Sequence, residues 1–127
     1  MDFGTALTFT AVGQSGEIMG VNIVPGLQTA IKALFMNTSK LPEVELKLPE
    51  SALGKNTIHA IQAGVLYGYT GLVKGMLEAI RKETGLSFTV VATGGLSSIL
   101  TSLEGEFDEV DRNLTLEGLR LIAEANF

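Results

Sequence analysis

"SFTVVATGGL", residues 87–96, decides the fold class. The β-branched run from Ser87 to Thr93 reads as a buried strand that Gly94-Gly95 brings to an end. The residues that follow, "LSSILTSL" (96–103), read as a short helix. Open α/β sheets are built from such strand-to-helix units, and they bind ligands at the carboxyl ends of their strands. Paired glycines remove the Cβ atoms that block a flat nucleoside or sugar, and a helix N-terminus beyond them favours anions. A plain strand-to-helix turn accounts for the same residues equally well.

Upstream, "NTIHAIQAGVLYGYTGLVKGMLEAIRKE" (56–83) keeps a helical pattern for nearly thirty residues, and Gly85 supplies its stop. Gly64, Gly68, Gly71 and Gly75 fall within about 60° of one another on that helix. Each glycine costs a helix ~1 kcal/mol relative to alanine, so four cost about 4 kcal/mol. Close packing is the natural compensation, against the same chain or against a second subunit; a ligand lying along the stripe is the lesser reading. Thr57, in "GKNT", is either a ligand contact at the edge of a site or the N-cap of this helix. His59 stands alone, with no acid or nucleophile near it in sequence, and receives no role.

The first quarter reads as a hairpin. "TALTFTAV" (5–12) and "EIMGVNIV" (17–24) are strands joined by the turn "GQSG" (13–16), and Pro25-Gly26 ends the second. "LQTAIKALFM" (27–36) puts Leu27, Ile31, Leu34 and Phe35 on one helical face. "LPEVELKLP" (41–49), bounded by prolines, is extended or a short edge strand. Beyond the glycines, "EFDEVD" (106–111) is a brief strand or extended piece. Thr115 is a candidate N-cap for a last helix that carries Glu117, Leu116, Leu119 and Ile122. The order β-β-α-(β)-α-β-α-β-α gives an α/β domain with a mixed sheet.

At the start, "DFGTALTF" (2–9) resembles a phosphate-contacting turn. Asp2 suits a cation or a water, Gly4 lets backbone approach a ligand, and Thr5 and Thr8 offer hydroxyls. An ordinary strand start with a glycine turn is the alternative, since short motifs match by chance. A protein-kinase "DFG" is excluded: neither an H-R-D loop nor a V-A-I-K strand accompanies it.

Composition narrows the chemistry. The chain has 127 residues, 46% apolar, which suits one folded domain with a core of its own. Without cysteine, and with His59 the only histidine, it has no thiolate nucleophile, disulfide or histidine metal cluster. A net charge of −5 with no basic block argues against nucleic acid. No long uncharged apolar run or secretory leader is present, so the expectation is a soluble, cytoplasmic protein without a membrane role. The acidic "EGEFDEVD" (104–111) lacks calcium-loop spacing and reads as a solvated loop.

Six segments in order carry a resemblance: "DFGTALTF", G-x-N-I-V-P-G-L from Gly20, "LPEVEL", "GKNT" with its glycine-spaced helix, "VVATGGL" and "VDRNLTLEGLRLI". Over its whole length the chain resembles the C-terminal half of the type III pantothenate kinases. That family has the acetate and sugar kinase, Hsp70 and actin fold, with ATP between two RNase H-like domains. The resemblance implies that residues 1–127 are one RNase H-like domain whose N-terminal partner domain is missing. It implies ATP, Mg²⁺ and a potassium ion as cofactors and pantothenate as acceptor. Asp2 then corresponds to the potassium-linked acid. Gly4, Thr5, Thr93, Gly94 and Gly95 correspond to ATP-contacting positions, and Thr57 to a pantothenate contact. Members are dimers, so the glycine stripe is expected at a homodimer interface or in the core. The family's catalytic base and first phosphate motif lie in the N-terminal half, so no catalytic residue is expected here and the chain alone is expected to be inactive. Thr10 and Val21 depart from residues common in the family, and both bear on the phosphate side. The alternatives are a non-catalytic actin-fold interaction module and a sugar- or acetate-kinase-like enzyme with another acceptor.

Overall fold

Alternation of apolar and polar residues makes the first hairpin. The computed structural model describes residues 1–37, 40–95 and 101–127. Strands β2 (Ala6–Val12) and β3 (Ile18–Pro25) pair antiparallel, from Ala6 opposite Pro25 to Val12 opposite Ile18, with an irregularity between Ala11 and Val12. Period-2 geometry buries Leu7 and Phe9 on one face of β2 and leaves Thr8 and Thr10 on the other. The opening residues are themselves a strand, β1 (Asp2–Phe3), which folds back on β2 with Asp2 opposite Thr8 and Phe3 opposite Leu7.

On its other side β1 meets the strand that follows the long helix. Phe3 N donates to Thr93 O (2.8 Å), Thr93 N to Met1 O (2.9 Å), and Met1 N to Val91 O (2.8 Å). These bonds and a parallel Asp2–Thr93 bridge join β1 to β4 (Val91–Ala92), which pairs in parallel with β5 (Glu109–Val110). Neighbouring strands thus run in the order β3, β2, β1, β4, β5, antiparallel on one side and parallel on the other. One small sheet is antiparallel and the other parallel, and the Asp2–Thr93 bridge with its flanking bonds is what joins them into the mixed arrangement expected. The strand expected over Ser87–Thr93 forms only at Val91–Ala92, with Thr93 in the bridge, because each of its partners is two residues long. The acidic segment is more than a solvated loop. It supplies β5, and Asp108 accepts from Val90 N at 2.6 Å.

Helix α1 (Leu27–Asn37) buries Leu27 and Ile31. Leu34 and Phe35, expected on the same face, stay 36% and 46% exposed. Leu34 lies within about 20° of Leu27 around the axis, so the difference in burial is not one of helical face. Helix α2 (Thr57–Thr84) is ~42 Å long at 1.5 Å per residue. Asn56, not Thr57, is its N-cap, its side chain accepting from His59 N; Gly85, at φ +67°, closes the other end by donating to Arg81 O. Arg81 and Lys82 in the last turn complement the helix dipole.

Leu66, Val73 and Leu77 bury one side of α2. The four glycines lie about 170° around the axis from them, and a Cβ at any of them meets nothing within 4 Å. Among the described residues, nothing packs against the stripe. Residues 41–49 form no strand. Their backbone is held instead by α2 side chains, Gln62 Nε2 donating to Glu45 O (2.9 Å) and Tyr67 Oη to Pro49 O (3.1 Å).

The helix expected over 96–103 falls mostly outside the described residues; a 3₁₀ helix spans Thr101–Glu106 and buries Leu103. Helix α3 (Leu114–Asn126) starts one residue after Asn113, so Thr115 lies inside the helix and is not its cap. None of its residues is buried; Leu116, Leu119 and Ile122 are 66%, 58% and 60% exposed. The core lies between the sheet and α1–α2: Phe3, Leu7, Phe9, Leu27, Ile31, Leu66 and Val73, with Phe107 edge-on to Phe3 at 5.9 Å. Among the described residues, no helix is long and apolar enough to cross a membrane.

Candidate functional site

Two turns that stand ninety residues apart in sequence meet at one edge of the sheet. Gly4 and Thr5 follow β1; Thr93, Gly94 and Gly95 follow β4, and the Asp2–Thr93 bridge ties the pair together. Gly94 sits at φ +99°, and a Cβ there would stand 2.6 Å from Phe3 O. Glycine is required on both counts, since the conformation is left-handed and the neighbour is immovable backbone. The Asp2 carboxylate leans over the turn, Oδ1 lying 3.7 Å from where a Cβ on Gly4 would be.

A third glycine turn supports the first from beneath. Pro25-Gly26 ends β3 and leads into α1, and a Cβ on Gly26 would overlap Gly4 O and Thr5 O. The Thr5 carbonyl accepts from Gly26 N (2.9 Å) and from Thr29 Oγ1 (2.8 Å). From the middle of α2, Tyr69 Oη donates to Pro25 O at 2.6 Å. Partial burial pushes the Tyr69 phenol above its ordinary value, so it stays a neutral donor. Sequence reasoning missed Gly26, Thr29 and Tyr69. The signal available for Gly26 was Pro25-Gly26 itself, read only as the end of a strand.

Asp2, Thr8 and Thr93 are neighbours across β1, β2 and β4, and all three line a cavity of about 480 Å³. Thr10, Thr89, Thr115 and Arg81 line it too, as does Leu114 of α3. The surface is suited to holding a charged, oxygen-rich group: its lining includes one carboxylate, five threonines and a guanidinium among apolar residues. His59 is exposed and pairs its Nδ1 with Asn56 Nδ2 at 3.0 Å, and no metal-binding group of three acids or histidines occurs among the described residues.

Asp2, Gly4, Thr5, Thr93, Gly94 and Gly95 therefore gather at one edge, whereas Thr57 does not join them by any contact. It is exposed in the first turn of α2, ~18 Å along the axis from Tyr69.

A family model for type III pantothenate kinase matches residues 1–79. The chain belongs to the type III pantothenate kinase family. The match takes in the opening turn, the Pro25-Gly26 turn, Thr57 and most of α2. Among curated type III pantothenate kinases, the Myxococcus xanthus protein is 49% identical over 122 residues, covering 96% of this chain and 48% of that protein. The Syntrophobacter fumaroxidans protein is 50% identical over 127 residues, covering 99% and 49%. This chain spans about half the length of the type III pantothenate kinases it matches, and that half includes the Thr93-Gly94-Gly95 turn. A solved structure of a Campylobacter jejuni protein assigned to the Baf family of transcriptional activators superposes with a TM-score of 0.67 at 23% identity. It covers 98% of this chain and 56% of that one, and it speaks for the fold alone.

Proposed function

We propose that the chain is the C-terminal, RNase H-like half of an ATP-dependent pantothenate kinase, one of two domains of an actin-like fold. The observation that carries the reading is the meeting of the Gly4–Thr5 and Thr93–Gly94–Gly95 turns beside Asp2. The strand order with β1 at the centre of a mixed sheet supports the RNase H-like assignment.

In this reading Gly4 and Thr5 face the ATP phosphates and Thr93, Gly94 and Gly95 the adenosine. Catalysis of phosphoryl transfer is largely positioning and charge stabilisation, which such a wall supplies without a base of its own. Asp2 with the Thr8 and Thr93 hydroxyls provides oxygen donors carrying a single negative charge, a set that fits a monovalent ion such as potassium. Mg²⁺ takes its oxygens largely from nucleotide phosphates and is expected to arrive with ATP. A cation held by Asp2 offsets phosphate charge. Thr57 meets pantothenate, and its exposure in the first turn of α2 is compatible with an acceptor reached from outside this domain. The outward glycine stripe of α2 is assigned to a homodimer interface, and the protein to the cytoplasm.

Transfer of the γ-phosphoryl group needs the base and phosphate turn of the N-terminal half. The test is pantothenate phosphorylation by this chain alone and after addition of an N-terminal half. Turnover is expected only in the combination, and robust turnover by the lone chain sinks the proposal. A non-catalytic module of the same fold has one observation in its favour, the wholly exposed apolar side of α3. Calorimetry separates the two: ATP binding that requires potassium and is lost in Asp2→Ala belongs to the kinase half.

A further inference from the structure

The Gly4–Thr5 turn has one backbone bond of its own, from Gly4 N to Ala6 O (3.1 Å), and further support reaches it from elsewhere in the chain. A carbonyl oxygen has two lone pairs, and both on Thr5 are filled, by Gly26 N at 2.9 Å and Thr29 Oγ1 at 2.8 Å. Thr29 is the third residue of α1. A threonine at that place ordinarily bonds to nearby backbone of its own segment, but this one reaches 24 residues back to the turn. The Thr5 carbonyl thus sits on the positive end of α1, where a partial negative charge is favoured. Gly26 is held in turn through Pro25, whose carbonyl takes the 2.6 Å bond from Tyr69. A continuous path of hydrogen bonds runs from α2 through Pro25-Gly26 to the tip of the turn.

We propose that Thr29 and Tyr69 are positioning residues for nucleotide binding. They fix the Thr5 carbonyl and so set the backbone angle from which the Thr5 hydroxyl meets phosphate. The inference rests on the reading that this turn contacts ATP. Neither side chain touches the nucleotide; both act through Thr5.

The experiment is calorimetric ATP binding, with potassium present, to the unaltered chain and to Thr5→Ala, Thr29→Ala, Thr29→Ser and Tyr69→Phe, with urea denaturation of each. Loss of one supporting bond is expected to weaken ATP binding about fivefold in Thr29→Ala and in Tyr69→Phe. Thr29→Ser, which keeps the hydroxyl, is expected to bind as the unaltered chain does. Unchanged affinity in Thr29→Ala alongside weakened binding in Thr5→Ala overturns the positioning role and leaves the phosphate reading standing. Equal loss in Thr29→Ser and Thr29→Ala also overturns it, since the hydroxyl is then not the agent. No ATP binding by the unaltered chain, or no effect of Thr5→Ala, removes the phosphate reading and the inference with it.

Discussion

Gly94 and Gly68 are both glycine for reasons that predict opposite outcomes on substitution. Gly94 combines φ +99° with a Cβ position 2.6 Å from Phe3 O, so Gly94→Ala must move the bridge that joins β1 to β4. A loss of about 2 kcal/mol or more is expected from urea denaturation, together with loss of ATP binding. Gly68 has open space around it and lies inside a helix, so Gly68→Ala is expected to gain about 1 kcal/mol in the isolated chain. A gain in stability combined with a loss of self-association marks the stripe as a contact surface. Tyr69 makes a third case. Its phenol is raised in the folded protein, so the stability it contributes is fully present below the ordinary tyrosine value of ~10. That contribution is lost as pH climbs through the higher folded value. Denaturation midpoints followed from pH 8 to 11 are expected to be flat and then to fall, and the fall to be shallower in Tyr69→Phe.

The two ends of α2 and the whole of α3 differ in how much the rest of the molecule depends on them. Asn56 satisfies a backbone donor of the first turn of α2, and Asn56→Ala is expected to cost about 1 kcal/mol, read from the urea midpoint. Helix α3 buries no side chain, so a chain ended at Thr115 is expected to unfold within about 0.5 kcal/mol of the complete one. The β2–β3 hairpin, α1 and both ends of α2 were legible in the sequence because each depends on local pattern and punctuation. β4 was overread because a β-branched run reports burial, whereas strand length depends on distant partners, here two residues each. Gly64, Gly68, Gly71 and Gly75 gave their common face correctly but not its direction, which periodicity does not encode. Of the candidate site, Asp2, Gly4, Thr5, Thr93, Gly94 and Gly95 were legible as separate turns. The support from Gly26, Thr29 and Tyr69 was not, because three-dimensional proximity alone brings them to Thr5.

Among the described residues, α1 and α2 shield the Leu7–Phe9 face of the sheet, while Ile18, Val21 and Ile23 of β3 stand 67%, 50% and 70% exposed, and the apolar side of α3 is open as well. Exposed apolar surface of this kind drives association. Sedimentation velocity of the isolated chain is expected to show concentration-dependent oligomers, which Ile23→Thr combined with Leu119→Thr reduces; a strictly monomeric unaltered chain contradicts this. The central strand has a different consequence, in time rather than in surface. β1 and its partner on one side, residues 91–93, are separated by about ninety residues of synthesis. At ~5–20 residues per second that is a wait of roughly 5–18 s. For that interval β2 is the only strand beside β1, whose other edge is bare. The bond that assembles the candidate site therefore waits for Thr93, and a nascent chain stalled before Thr93 has the first turn without the second.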